Sequence, residues 1–323
     1  MMKKPAFKAA PNLFALLTLM LTCVTGPTAH GGTQPTLRIA LLPIPDVLPV
    51  FVAEEKGYFK EAGIRVETIP VGSALERDQL MQAGRIDAMV NEISGTASFN
   101  RDKVRMKIVA VARAPKGDSP LFRILSSPGS GITTPAQLAG VPIAVSKNTV
   151  IEYLTDRLLG EKGLSQDEII KKSVPVLPER MQLLLSGQIE AATLPDPLAF
   201  AAMKAGAHVV MDDTRAPLYS ASVLSVSADT LTKDGQAVDA FVNAWMKAAR
   251  DLNAAPESFR PLMLKKIRVP KNVRQTFAIP PFPVDTVPSA EQWDDVMAWM
   301  TAKGLLKSPI AYDTSVVTGR PKE

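Results

Sequence analysis

One passage of this chain is used twice. Glu76-Arg77-Asp78-Gln79-Leu80-Met81-Gln82-Ala83-Gly84-Arg85-Ile86-Asp87-Ala88 returns as Glu179-Arg180-Met181-Gln182-Leu183-Leu184-Leu185-Ser186-Gly187-Gln188-Ile189-Glu190-Ala191, 103 positions further on. The echo reaches upstream at a similar offset, where Ile39-Ala40 returns as Ile143-Ala144 and Glu55-Lys56-Gly57 as Glu161-Lys162-Gly163. Such a repeat predicts two similar α/β lobes, each in strand-helix-strand-helix-strand order, facing one another. Open α/β folds bind small molecules in the crevice outside the carboxyl ends of their strands, so the site is sought in those loops.

At 323 residues the chain has room for two domains. Lys3, Lys4 and Lys8 precede the apolar run Leu13-Phe14-Ala15-Leu16-Leu17-Thr18-Leu19-Met20-Leu21, which reads as a secretory signal peptide over residues 1–30. The run falls short of the roughly 20 apolar residues of a membrane span. The expected location is therefore the periplasm. Small residues Ala29 and Gly31 mark the exit, and cleavage there removes Cys23, the chain's single cysteine. Lipid attachment at Cys23 is the weaker alternative, because Met20-Leu21-Thr22 matches a lipoprotein box poorly. Without the leader's three lysines, 34 basic residues face 32 acidic ones, and the charges are interspersed. That pattern gives no footprint for nucleic acid.

Local patterns place the elements. Leu37–Leu42 reads as a strand stopped by Pro43 and Pro45, Val47 to Lys60 as a helix, and Arg65–Val71 as a strand. Ser73-x-x-Glu76 matches a capping box opening the first repeated helix. Ile86–Val90 and Lys107–Ala112 follow as buried strands. In the second half, Phe122–Leu125, Val141–Val145, Ser173–Leu177, Ala191–Leu194 and Val209–Met211 read as strands. Thr134-Pro135 starts a helix, with Pro at its first position. Val223–Val226 is a strand leading out of the second lobe, and the helices Val238–Asn253 and Ser289–Lys303 follow. The expected fold class is α/β, two doubly wound and largely parallel lobes with a hinge and central cleft. Lobe one takes residues 36–119 plus 224–323, and lobe two 120–223.

Strand-end loops then nominate the ligand contacts. Lobe one supplies Pro45, Asp46, Ser73, Asn91, Glu92 and Ser94, and lobe two Ser146, Asn148, Thr149 and Asp196. Each has a plainer reading beside it. Ser73 and Asp46 are also helix caps, Asn91 and Ser94 turn formers, and Ser146, Asn148 and Thr149 a capped loop. Glu92 and Asp196 each follow an apolar strand of the repeated framework, where a salt bridge is the competing fate.

Catalysis finds little support. His30 lies in the leader joint, and His208 reads as a structural or surface residue. No Cys–His pairing, metal-ligand spacing, G-x-S-x-G elbow or phosphate loop occurs, so no metal, cofactor or enzymatic activity is expected.

Further motifs point to a family. Phe51-Val52-Ala53-Glu54-Glu55-Lys56-Gly57-Tyr58-Phe59-Lys60-Glu61-Ala62-Gly63-Ile64, Ala83-Gly84-Arg85-Ile86-Asp87-Ala88 and Pro135-Ala136-Gln137-Leu138-Ala139-Gly140 stand in order. Ser186-Gly187-Gln188-Ile189-Glu190-Ala191 and a late Trp299 with Lys303-Gly304-Leu305 complete the set. Over residues 37–312 the chain resembles the solute-binding proteins of ABC importers, in the nitrate/sulfonate/taurine and thiamine-precursor-like branch. The resemblance implies a type II periplasmic-binding-protein-like fold with crossings near 119–125 and 219–226. It also implies a monomer whose lobes close on a small-molecule solute and dock on an ABC permease in the inner membrane. Asp196-Pro197 stands where many relatives carry Glu-Pro, and the cysteine-rich motif of yeast-type thiamine pyrimidine synthases is absent.

The solute itself is less constrained. Glu92 and Asp196 would suit amino or ring N–H donors, as on an aminopyrimidine, and no comparably placed arginine pair presents a bidentate grip on sulfonate or nitrate. Helix N-termini hold anions without arginine, so sulfonate stays open beside the nitrogenous ligand. Two rival readings accompany the importer: a same-fold enzyme such as a menaquinone-pathway lyase, and an exported ligand sensor.

Overall fold

Side chains along each strand point by turns to opposite faces, and here each face meets its own core. Ile39, Leu41, Ala88 and Val90 pack towards the helices Leu48–Lys56 and Gly235–Ala254, while Ala40 and Met89 pack with Met81 and Met106 on the other side. In the second lobe Ile124 and Ile143 join one cluster, while their neighbours Leu125 and Ala144 join another. These sheets are covered by helices on both faces, as α/β layering requires. The structure is a computed structural model describing residues 1–3 and 34–319. Most of the expected leader, with Cys23 and His30, lies outside the described residues. No described helix is long and apolar enough to cross a membrane.

In chain order the strands are β1 (Thr36–Leu41), β2 (Arg65–Pro70), β3 (Ala88–Glu92), β4 (Met106–Arg113), β5 (Phe122–Ser126), β6 (Ile143–Val145), β7 (Lys171–Ser173), β8 (Ala191–Pro195), β9 (His208–Asp212) and β10 (Ser222–Ser227). They form two five-stranded sheets, ordered β2-β1-β3-β10-β4 and β7-β6-β8-β5-β9. The orders correspond position by position, so the sequence repeat is a repeat of topology. The repeated helices Ala74–Gln82 and Leu177–Leu185, like β3 and β8, keep the 103-residue offset.

Each repeated helix also ends the same way. Gly84 (φ +63°) and Gly187 (φ +72°) take the left-handed conformation, which glycine adopts without Cβ strain. Arg85 N–H then reaches back to Leu80 O (2.9 Å) and Gln188 N–H to Leu183 O (3.0 Å).

Several expectations are corrected. The sheets are mixed rather than largely parallel: β10 runs antiparallel to β3 and β4, and β5 antiparallel to β8 and β9. The cause is topological. Each of these strands is the first met after the chain passes from one sheet to the other, so it enters at the carboxyl edge and must run backwards. Those passages are residues 114–121 and 213–221, so most of the expected crossings 119–125 and 219–226 is strand. The helix expected over 47–60 breaks at Gly57 (φ +77°) into Leu48–Lys56 and Tyr58–Glu61. The strand expected over 173–177 is instead β7, ending at Ser173, and Leu177 already begins a helix.

After β10 the chain returns through Gly235–Ala254 to the first sheet and then touches the second lobe twice. Asn272 Nδ2 donates to Ala201 O (3.0 Å), and Phe277 stacks edge-on against Phe200. The helix Ala290–Ala302 lies against Val150–Gly160: Asp295 accepts from Tyr153 (2.6 Å) and Arg157 (2.7 Å), and Trp299 Nε1 donates to Asp156 (2.9 Å).

Candidate functional site

Both passages leave from the carboxyl end of a strand and enter β5 or β10 beside the carboxyl end of its antiparallel neighbour, so those edges of the two sheets meet over the same junction. Asp196 N–H donates to Leu121 O (2.8 Å), and Arg113 Nη2 to Pro120 O (2.8 Å), which ties β8 and β4 to the first passage. The loops nominated from the sequence follow β1, β2, β3, β6 and β8 on this side.

At the lobe-one edge, Pro45 and Asp46 form a buried 3₁₀ turn after β1. The Asp46 carboxylate pairs with Arg113 at 3.1 Å. Arg113 is itself buried, and its Nε finds no partner among the described residues. Ser222, paired across the sheet with both Glu92 and Arg113, likewise has an unpartnered hydroxyl. Opposed residues of antiparallel strands project from the same face, so Glu92, Ser222 and Arg113 form a polar row at this edge.

The other lobe-one candidates divide. Ser73 caps Ala74–Gln82, its hydroxyl accepting Glu76 N–H at 3.2 Å. Glu76 turns back to Gly72 N–H (2.8 Å) rather than to Ser73, so the box is only half made. Asn91 is committed elsewhere: its amide, Thr96 Oγ1 and Ser225 Oγ close a buried triangle of 2.7–3.1 Å bonds. Ser94 is buried in the first turn of Ile93–Phe99. Glu92 precedes that helix with a third of its side chain exposed, and its nearest cation, Arg77 Nη2, is 3.8 Å away. Burial pushes the Glu92 carboxyl above the ordinary glutamate range, and Arg77 opposes the rise.

In lobe two, Ser146, Asn148 and Thr149 come together at the start of Val150–Gly160. Thr149 Oγ1 accepts Ile151 N–H (3.2 Å) and donates to Ser146 O (2.7 Å). Asn148, left-handed at φ +61°, gives its N–H to Glu152 (2.6 Å). Asp196 is taken by a salt bridge. Arg123 from β5 grips both its oxygens, at 3.2 and 3.0 Å, and Phe200 N–H adds a third bond at 3.0 Å. The Asp196-Pro197 peptide is cis.

The repeat contains what the sequence reading passed over, a matched arginine pair. Arg77 and Arg180 are both buried, and their Nη1 atoms donate to Val90 O (2.8 Å) and Thr193 O (2.7 Å), carbonyls at the same 103-residue offset. The two differ in company. Arg77 Nε binds Asp78 at 2.8 Å, with Glu92 nearby. Among the described residues Arg180 binds only neutral acceptors, Val174 O (2.7 Å), Thr193 O and the Ser146 hydroxyl. Burial, with no carboxylate to offset it, pulls the Arg180 guanidinium down to about 10. Both arginines stand second in the repeated Glu-Arg motif, a signal that was present in the sequence.

Near the passages, Asp213 accepts the N–H groups of Leu121 and Phe122, each at 3.1 Å. Burial lifts its carboxyl to about 6, while Ser220, those N–H groups and Arg113 pull the other way. His208 is exposed, with Nε2 3.2 Å from Pro128 O. Among the described residues, no group of three or more His, Cys, Asp or Glu side chains is arranged to hold a metal ion.

Two α/β lobes joined by two passages, with polar loops where their strand ends meet, define the periplasmic-binding-protein fold. The chain belongs to the NMT1/THI5-like family, whose model matches residues 44–259. A protein of Brachyspira hyodysenteriae assigned as an ABC transporter periplasmic binding protein is 23% identical over 261 residues, 76% of this chain and 73% of that one. The periplasmic aliphatic sulphonate binding protein SsuA of Escherichia coli is 17% identical and superposes with a TM-score of 0.73 over 89% of this chain and 95% of its own. The desulfurization enzyme DszB, 18% identical, superposes at 0.61 over 87% of this chain and 96% of its own. That an enzyme shares the architecture means the fold alone does not separate carriage from catalysis.

Proposed function

We propose that this protein is the periplasmic solute-binding component of an ABC importer. It holds a small nutrient anion between lobe one (34–113 plus 222–319) and lobe two (122–212), and delivers it to a membrane permease. The observation that carries the anionic reading is Arg180, a buried guanidinium beneath a strand-end loop with no carboxylate against it among the described residues. An isolated buried charge is costly, and a bound anion relieves that cost. The aliphatic sulphonate bound by the Escherichia coli neighbour supports the same ligand class.

Solute contacts come from Ser73, Glu92, Ser94, Ser146, Asn148 and Thr149. Pro45, Asp46, Asn91 and Asp196 shape and brace the loops around them. Ligand touching both lobes stabilises the closed arrangement, and only that differential affinity drives closure. Thermal-shift screening against alkanesulfonates, carboxylates, nitrate and pyrimidines tests the reading. A sulfonate or carboxylate is expected to raise the midpoint and shrink the radius of gyration in solution scattering. Stabilisation by pyrimidines alone overturns the anionic assignment, and an unchanged scattering profile counts against closure. The DszB likeness sets the alternative, an enzyme. Recovery of the bound compound unaltered supports carriage, and its conversion supports the enzyme.

A further inference from the structure

Two helices of this chain open with the same turn and differ in what lies over it. Ala74–Gln82 follows its cap Ser73, and Glu76 reaches back to Gly72 N–H at 2.8 Å. Val150–Gly160 follows its cap Thr149, and Glu152 reaches back to Asn148 N–H at 2.6 Å. In both, the acid is the third helical residue and the N–H belongs to the residue before the cap, a variant of the capping box. Glu76 stands exposed and pairs with no cation among the described residues. Glu152 is buried, and its other oxygen accepts from Lys303 Nζ at 2.6 Å.

Lys303 comes from the opposite lobe. It caps the carboxyl end of Ala290–Ala302, a helix whose Trp293 and Met297 share a core with Ile108 of β4 and Val223 of β10. One carboxylate thus joins lobe one to the loop that carries Ser146, Asn148 and Thr149. The join has a competitor: Lys171 of β7 lies 3.9 Å from the same Glu152 oxygen and binds the buried Asp156. Two buried acids are balanced by two lysines, and withdrawal of Lys303 leaves Lys171 to serve both. Glu152 then turns towards Lys171 or takes up a proton, and in either case Asn148 N–H loses a charged acceptor. Burial alone would raise the Glu152 carboxyl, but Asn148 N–H and Lys303 outweigh it and hold it below the ordinary glutamate range. Asn148 needs the hold. Its φ of +61° is left-handed, which asparagine visits more readily than most residues but which costs free energy unless the surroundings fix it.

Resting on the reading of residues 146–149 as a solute loop, we propose that Lys303 is a positioning residue. Acting through Glu152 from the opposite lobe, it holds Asn148 in its left-handed turn and presets the loop for the solute. A loop ordered beforehand gives up less conformational entropy on binding.

Amide hydrogen exchange, read at single residues by NMR, tests the hold without any solute. Lys303→Met is expected to speed exchange at Asn148 N–H about tenfold or more, as befits a lost hydrogen bond to a charged group. Gly72 N–H, in the uncovered twin of the turn, and the interior amides of Val150–Gly160 should keep their wild-type rates. Lys303→Arg should restore protection. An unchanged rate at Asn148 overturns the proposal, since Glu152 is then a helix cap that needs no lysine. Acceleration of the same size at the interior amides also overturns it, because a general loss of stability then accounts for the change. Calorimetry with propanesulfonate reads the consequence: Lys303→Met should weaken binding about threefold or more, with Lys303→Arg close to wild type. Equal affinities alongside lost protection overturn the positioning role. A wild type that binds neither propanesulfonate nor any compound of the thermal-shift screen sinks the solute reading instead, and the exchange result still decides the hold on Asn148.

Discussion

Glu92 and Asp196 stand at corresponding strand ends of the two lobes and have opposite fates. Asp196 is locked by two bonds from Arg123 and one from Phe200 N–H, whereas Glu92 keeps a third of its surface and sees its nearest cation at 3.8 Å. Their local sequences are alike in kind, an apolar strand followed by an acid. The difference is made by β5, which lies beside β8 and carries Arg123, whereas β10, lying beside β3, puts Ser222 opposite Glu92. A carboxylate's role is set by the neighbouring strand, and that strand is distant in the chain.

The contrast is open to attack. The largest stability effect should come from Arg180→Met, which strips donors from Val174 O and Thr193 O and empties a buried site. A loss of about 3 kcal/mol or more is expected in urea unfolding. Asp196→Ala strands Arg123, only 12% exposed, and should cost about 2 kcal/mol by the same measurement. If Asp196→Ala instead leaves stability intact and abolishes solute binding, the two acids are equivalent after all.

The pH response sharpens the comparison at the junction. Asp213 holds a proton up to about pH 6 in the folded protein, against an ordinary value of 3.8. Between those values the native state binds more protons than the unfolded chain at this group. Its contribution to stability therefore rises as pH falls from 7 towards 4, and by linkage it is least above pH 6. Asp87 and Glu152, held below their ordinary values by Arg38 and by Asn148 N–H with Lys303 respectively, trend the other way once pH drops below about 4.5. The difference between wild type and Asp213→Asn isolates the effect, with a slope of about 1 kcal/mol per pH unit near pH 5. A carboxyl resonance titrating near 4 instead would refute the assignment. Smaller still, Asp295→Asn should cost about 1 kcal/mol, since its pair with Arg157 is partly exposed. Glu92→Gln should move stability by less than about 0.5 kcal/mol while changing affinity, the reverse of Asp196→Ala.

What could be read in advance was what short stretches dictate. The serine cap at Ser73 and the strand alternation follow from a few adjacent residues. Glu92 and Ser146 were nominated on that basis. The buried triangle of Asn91 was not legible, because it depends on Ser225 from β10. The reversed direction of β5 and β10 was hidden as well, since direction follows from which sheet the chain has just left. Arg180 was visible as a letter in the repeat, but its isolation appears only when Met181 and Pro195 are set against Asp78 and Glu92.

Ser222, at the start of β10, pairs with Arg113, the last residue of β4. The two strands thus meet as the arms of a hairpin whose loop is everything from residue 114 to 221. The second lobe is in effect a guest spliced into a turn of its host. Replacing that span with a short Gly-containing turn should leave the host sheet's strand order whole.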